Sequence, residues 1–256
     1  HMRNAQNADW RGGRTAIFFF MADEEVYQVG KRAYMEFFSE NALGATRAYP
    51  GIAEMEREVL DYGMDLLNAP DTARGIFTTG GTESIFLGVR AAREHFRATR
   101  NPQRERRLNI VMPVSGHPAF DKSADVMDLE IRRAPLRADR RAEVDAMRDL
   151  IDDDTMLLVG SAPCFPHGVI DPIGELAVIA ERYGVWLHVD GCVGGWVAPF
   201  FERIGRGTPA FDFRNPGVRS ISADLHKFGF APKPASTLFL RNGDDLERAT
   251  FRLSAW

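Results

Sequence analysis

The chain has 256 residues, 45% of them hydrophobic and 27% charged, with a formal net charge of −4. That is the make-up of an ordinary globular protein, with room for one large domain or two small ones. The weak negative charge gives no electrostatic reason to expect nucleic acid or an anionic membrane as a partner.

Two cysteines, Cys164 and Cys192, form neither a disulfide framework nor a metal-ligand spacing, so no metal site is expected. Their scarcity fits a reducing, cytoplasmic setting. Basic clusters over 90–107 and 132–141 are interrupted by Glu94, Glu105 and Asp139 and read as solvated surface. The apolar run over 16–21 is far too short for a membrane span.

In chain order, His1-Met2 reads as a cloning scar, so the natural start is expected upstream. An amphipathic helix is expected over 24–40, an irregular segment over 41–51 and a second helix over 52–67. Strands then alternate with helices. The strands are expected over 75–79, 108–113, 129–134, 156–161, 185–190, 220–223 and 236–241, the helices over 83–97, 141–151 and 173–183. Several strands are nearly continuous apolar runs, as in strands buried on both faces. The alternation predicts an α/β fold with a mostly parallel, seven-stranded sheet between helices. In such folds a ligand sits outside the carboxyl ends of the strands, where the main motifs fall. The expected division is an N-terminal segment over 1–50 and a large domain over 51–256. Arg252-Leu253-Ser254-Ala255-Trp256 stops without a terminating signal and reads as a cut end.

Four segments carry chemistry. Thr78-Thr79-Gly80-Gly81-Thr82-Glu83-Ser84 follows a strand and opens a helix. Its glycines let backbone approach a ligand, and the first helical N–H groups favour an anion. A plain helix start with Thr82 as N-cap is the other reading. His117 follows the 108–113 strand, as a residue that stacks on a ring or as a loop histidine. Asp190 ends an apolar strand and needs a cationic partner if buried. A protonated pyridine nitrogen is one such partner, with Gly191 leaving room for a flat ring. A helix cap, a metal ligand and a ribose contact are the alternatives. Last, Ser220–Ala223 delivers His226-Lys227 into a turn of small residues. A buried lysine is costly unless its charge is paired or removed, and a Schiff base with an aldehyde removes it. Alone, the pair reads as a solvated turn.

Taken in order, these pieces resemble the pyridoxal 5′-phosphate (PLP)-dependent group II decarboxylase superfamily of fold type I, on its sphingosine-1-phosphate lyase branch. The match runs through Thr79-Gly80-Gly81-Thr82-Glu83-Ser84, then His117-Pro118-Ala119-Phe120-Asp121-Lys122, then Ser161-Ala162-Pro163 with Gly168-Val169-Ile170-Asp171-Pro172-Ile173. It continues through His188-Val189-Asp190-Gly191-Cys192-Val193-Gly194-Gly195 and ends in Ser220 to Lys233, covering about 41–241.

The resemblance implies PLP as cofactor, Lys227 as the Schiff-base lysine and Asp190 as the partner of the ring nitrogen. It makes His117 the stacking residue and puts Gly81, Thr82 and His226 around the cofactor phosphate. Lys233 matches a second lysine typical of the lyase branch, near the substrate end, and Asn41 lies in a segment that lines the site. It also implies a homodimer and a C-terminal small domain that this chain lacks. One departure stands in the loop after Pro163, where Cys164-Phe165-Pro166-His167 replaces a stretch that often holds a tyrosine. The implied activity is retro-aldol cleavage of a phosphorylated long-chain amino alcohol to a fatty aldehyde and phosphoethanolamine. Amino-acid decarboxylation on the same cofactor is the alternative, and a non-catalytic scaffold of the same fold is a third.

Overall fold

In a computed structural model, residues 20–40, 48–100 and 107–250 are described. The elements in chain order are α1 (Glu24–Glu36), α2 (Pro50–Leu66), β1 (Arg74–Thr78), α3 (Gly81–Arg100), β2 (Asn109–Pro113), α4 (Ala119–Met127), β3 (Glu130–Ala134), α5 (Val144–Asp149), β4 (Thr155–Ser161), α6 (Ile173–Tyr183), β5 (Trp186–Asp190), α7 (Ala198–Arg203), β6 (Val218–Ala223), β7 (Ser236–Leu240) and α8 (Asp244–Ala249).

The strands form one seven-stranded sheet in the order β1-β7-β6-β5-β4-β2-β3. Only β7 runs against its neighbours, so six strands point their carboxyl ends to the same side. The expected α/β fold with a mostly parallel sheet is therefore present. Burial explains the sequence pattern. All residues of β2, β4, β5 and β7 are buried, whereas the edge strands β1 and β3 expose Arg74, Glu130 and Arg133. Charge on an edge discourages pairing with another chain.

Helices cover both faces. One apolar layer joins Leu66, Met147, Leu176, Leu187, Val189 and Phe239, and the other joins Ile85, Phe96, Phe120, Met156 and Trp186. Along β5, alternation sends Leu187 and Val189 to the first layer and Trp186, His188 and Asp190 to the α3 side. Helix α6 matches its expected span, because its apolar residues Ile173, Leu176, Ala177 and Ala180 face the sheet and Gly184 ends it with φ of 61°. That left-handed residue lets the Val185 N–H reach back to the Ala180 carbonyl, as a helix C-terminus requires.

Three helices escaped the sequence reading: α4, α7 and α8. The last two have six residues each, too few for a 3.6-residue period to emerge. Conversely, the helix expected over 141–151 shrinks to α5. Ala142 instead bridges Leu136 and gives its N–H to Asp171 Oδ1, while Arg141 reaches the Ile170 carbonyl.

Asp171 is fully buried and also accepts the Ser161 N–H on Oδ2, tying the end of β4 to the segment before α6. Burial pushes its carboxyl above the ordinary range, and the two backbone donors pull back. Asp171→Ala in the full-length protein is expected to cost about 2–4 kcal/mol, since two buried N–H groups lose their acceptor. Urea unfolding of wild type and variant measures it.

Candidate active site

The carboxyl ends of the strands close around a cleft of about 350 Å³. Its walls come from five loops that lie far apart in sequence. The β1–α3 turn supplies Thr79, Gly80, Gly81, Thr82 and Glu83, the loop after β2 supplies His117, and the loop after β4 supplies Pro163 and Phe165. Asp190, Cys192 and Val193 come from the end of β5 and the turn after it, and Asp224, His226 and Lys227 from the turn after β6.

The β1–α3 turn is a helix start held from one side by the Glu83 side chain. The Gly80 carbonyl accepts the Glu83 and Ser84 N–H groups, and Glu83 Oε2 reaches back to the Thr79 N–H at 2.6 Å and its hydroxyl at 2.8 Å. Gly80, not Thr82, therefore occupies the cap position. Thr82 stands exposed in the first turn with its hydroxyl available to the cleft. Helix α3 is 20 residues long, so its positive end points at this turn. A Cβ on Gly81 would stand 2.8 Å from both Asp224 Oδ2 and Cys192 Sγ, so bare backbone is required here.

Asp190 is buried, with Oδ1 accepting the Cys192 N–H at 3.1 Å and its carboxylate lining the cleft. Gly191 has a different role from the one expected. A Cβ there would meet the Ser222 carbonyl at 2.8 Å and Ile221 Cγ2 at 3.3 Å. The glycine lets the chain pack on β6; it does not clear space for a ring.

Lys227 Nζ lies 3.0 Å from Asp224 Oδ2, with 21% of the lysine side chain exposed and 2% of the aspartate. Burial works against the ammonium, but the carboxylates of Asp224, which also accepts its hydrogen bond, and of Asp190 outweigh it and raise the lysine above its ordinary range. His226 moves the other way. Burial lowers it, and Nδ1 accepts the Ala235 N–H at 3.2 Å, so the neutral ring keeps its proton on Nε2. His117 Nδ1 accepts the Ala119 N–H at 3.1 Å, which sets its ring at the cleft wall with Nε2 as the donor.

The sequence-derived residues Gly81, Thr82, His117, Asp190, His226 and Lys227 thus meet in one place. Lys233 does not line this cleft. It lines a neighbouring, mostly apolar pocket of about 470 Å³ with Phe20, Tyr27, Lys31, Tyr34 and Phe230, and His226 is the wall between the two. The turn through Phe230, whose φ is 56°, carries Lys233 past the cleft rim. His167 is exposed and away from the cleft, whereas Phe165 lines it. Asn41 lies outside the described residues.

Asp224 was missed, and its only signal was position: an acid that directly follows a strand and precedes His-Lys by two residues. The arrangement fits PLP. An amine, a buried acid, an imidazole ring and a helix start with hydroxyls around one cleft match an aldehyde, a ring nitrogen, a ring face and a phosphate.

Comparison with known proteins decides the family: the pyridoxal-dependent decarboxylase conserved domain matches residues 39–255. The chain belongs to that family. PLP is the family's cofactor. The chain is 36% identical over 251 residues to the sphingosine-1-phosphate lyase of Dictyostelium discoideum, covering 98% of this chain and 46% of that one. A protein of Methanothrix thermoacetophila named "Probable L-tyrosine/L-aspartate decarboxylase" is 44% identical over 222 residues, covering 87% and 55%. The solved sphingosine-1-phosphate lyase of Burkholderia pseudomallei K96243 superposes with a TM-score of 0.86 at 40% identity, covering 93% of this chain and 56% of that one. The likeness to the lyase branch is borne out, and the chain spans about half the length of these relatives.

Beneath the site lies a polar core whose residues fall inside the motifs but to which the sequence assigned no role. His188 is fully buried, with Nδ1 2.7 Å from Ser220 Oγ and Nε2 3.2 Å from Ser222 Oγ, and Trp186 Nε1 donates to Ser220. Burial lowers it to about 4, against a smaller upward pull from Asp190. An unfolded histidine takes up a proton near pH 6.5, which the folded one resists, so stability is full above about pH 6.5 and falls as the pH drops toward about 4. The loss from this group is roughly 3 kcal/mol over that window. His188→Asn is expected to flatten that part of the acid-side slope, read as urea midpoints of the full-length protein across this range.

Proposed function

We propose that the full-length protein is a PLP-dependent carbon–carbon lyase acting on a phosphorylated long-chain amino alcohol of the sphingosine-1-phosphate type. The convergence of Lys227, Asp190, His117 and the Gly80-Gly81 helix start on one cleft carries the reading. In it, Lys227 bonds the cofactor aldehyde, Asp190 pairs with the ring nitrogen and His117 covers a ring face. The Gly81 and Thr82 backbone and hydroxyl, with His226 Nε2, hold the phosphate. When bound, PLP supplies a conjugated ring that takes up the electron pair left on the amine-bearing carbon of the substrate.

For the substrate, the bond between the hydroxyl-bearing and amine-bearing carbons breaks. The hydroxyl loses its proton and becomes an aldehyde, and the amine-bearing carbon gains one to give phosphoethanolamine. Lys227 Nζ is the group on the cleft floor suited to carry that proton. The neighbouring pocket supports a substrate with an apolar chain and a charged head, because its wall is largely apolar and holds Lys31 and Lys233. In this reading Lys233 serves the substrate and not the cofactor.

Amino-acid decarboxylation stays as the second reading, favoured by the 44% identity to the Methanothrix protein. The two differ in which bond to the same carbon breaks. We also propose a homodimer: α1 buries none of its residues, and Val29, Tyr34 and Met35 on it, with Phe38 just after it, are at least half exposed. Among the described residues no helix is long and apolar enough to cross a membrane. Both cysteines are free and buried, which supports a reducing, cytoplasmic setting.

Product analysis on the full-length protein tests the reaction. Release of a long-chain aldehyde with phosphoethanolamine is expected. Carbon dioxide from an amino acid, with phosphorylated sphingoid bases left intact, would sink the lyase reading. Lys227→Ala is expected to abolish the absorbance band near the visible edge and to lower turnover by at least ~100-fold.

A further inference from the structure

The cleft floor holds a carboxylate to which the proposed chemistry assigns no role. Asp224 is 2% exposed and directly follows β6. Its Oδ2 faces Lys227 Nζ at 3.0 Å, and its Oδ1 accepts the Ser236 hydroxyl. The contacts run on from there. Ser236 Oγ lies 2.8 Å from Ser84 Oγ, and Ser84 Oγ lies 2.6 Å from Thr78 Oγ1. These three hydroxyls are buried and come from the first residue of β7, the first turn of α3 and the last residue of β1.

The chain has one consistent direction. A carboxylate only accepts, so Ser236 donates to it and must itself accept from Ser84, which in turn accepts from Thr78. Each bond polarises the next toward Asp224. Four elements therefore fix one carboxylate in place beside one amine.

We propose that Asp224, anchored by the Thr78–Ser84–Ser236 hydroxyl chain, is a positioning residue that holds the Lys227 amine as a fixed ammonium whenever that amine is free. This rests on the reading of Lys227 as the cofactor lysine. A lysine that is released during turnover and then delivers a proton needs both a proton and a fixed place, and a loose amine on a long side chain has neither. The other charged or titratable groups facing the amine are weaker candidates. Asp190 has its Oδ1 on the Cys192 N–H, and its pull on the amine is smaller than that of Asp224. Cys192 is held as a neutral thiol, because burial raises it well above its usual range. Glu83 is occupied by Thr79, His117 by the Ala119 N–H, and His226 Nε2 lies 3.7 Å from Asp224 itself. Gly81 completes the arrangement, since any side chain there would displace the Asp224 carboxylate.

The test reads Lys227 directly in the full-length protein stripped of cofactor. Acetylation of Lys227 by acetic anhydride, quantified by mass spectrometry across pH, gives the pH midpoint at which the amine becomes neutral. Asp224→Asn keeps the shape and a hydrogen bond to Ser236 while removing the charge. Its midpoint is expected to fall by about one pH unit, which is about tenfold faster labelling below the midpoint. Ser236→Ala keeps the charge but loosens its anchor, and is expected to shift the midpoint the same way by a smaller amount, about 0.3 unit. Circular dichroism confirms folding, and either folded variant decides. A midpoint that stays put or rises overturns the assignment. Labelling needs no cofactor, so a missing absorbance band in wild type counts against the proposed function, and an unmoved midpoint counts against Asp224.

Discussion

An ammonium at the end of a buried strand survives because a carboxylate stands 3.0 Å from it, and much of the site is arranged around that pair. A bare lysine here would either lose its proton or swing out to solvent. Asp224 prevents both, and it can be buried only because Ser236 satisfies its second oxygen. The same carboxylate explains the glycine at position 81, whose missing side chain leaves room for it and for Cys192. One ion pair thereby links the β6–β7 turn, the start of α3 and the turn after β5.

The sheet decides why charge collects at this end. Its central strands are buried on both faces, so a charged side chain can persist only where a strand stops and loops bring partners. Asp190 and Lys227 stand at or just past such ends, and six strands stop on the same side. Beneath Asp190 the polar groups of β5 and β6 are neutral and paired. His188 sits between two serine hydroxyls, with Trp186 donating to one of them. That layer packs under Asp190 without adding a second charge to the floor.

Two adjoining spaces share His226 as their wall, and their chemistry differs. The cleft is lined by hydroxyls, acids and the lysine, while its neighbour is lined mainly by Phe20, Val26, Tyr27, Tyr34 and Phe230. A polar reacting end beside an apolar pocket is the division that a long-chain amine with a charged head requires. Lys233, six residues past Lys227, belongs to the second space because the turn through Phe230 and Pro232 carries it over the rim.

The sequence by itself determined the layout: strand and helix in alternation, continuous apolar strands for the centre of the sheet, and reactive residues at strand ends. Periodicity and burial are local enough to be read along the chain, so the seven strands and α1, α2, α3 and α6 were legible to within a few residues. The ordered motifs also carried the family and six residues of the cleft. Only the tertiary structure decided which neighbours those residues have. It put Lys227 on Asp224, gave Gly191 a packing role and moved Lys233 into a second pocket. It also assembled Thr78, Ser84 and Ser236 into one hydroxyl chain across 158 residues of sequence. Such pairings depend on how a sheet brings distant strand ends together, and no local pattern of residues encodes that distance.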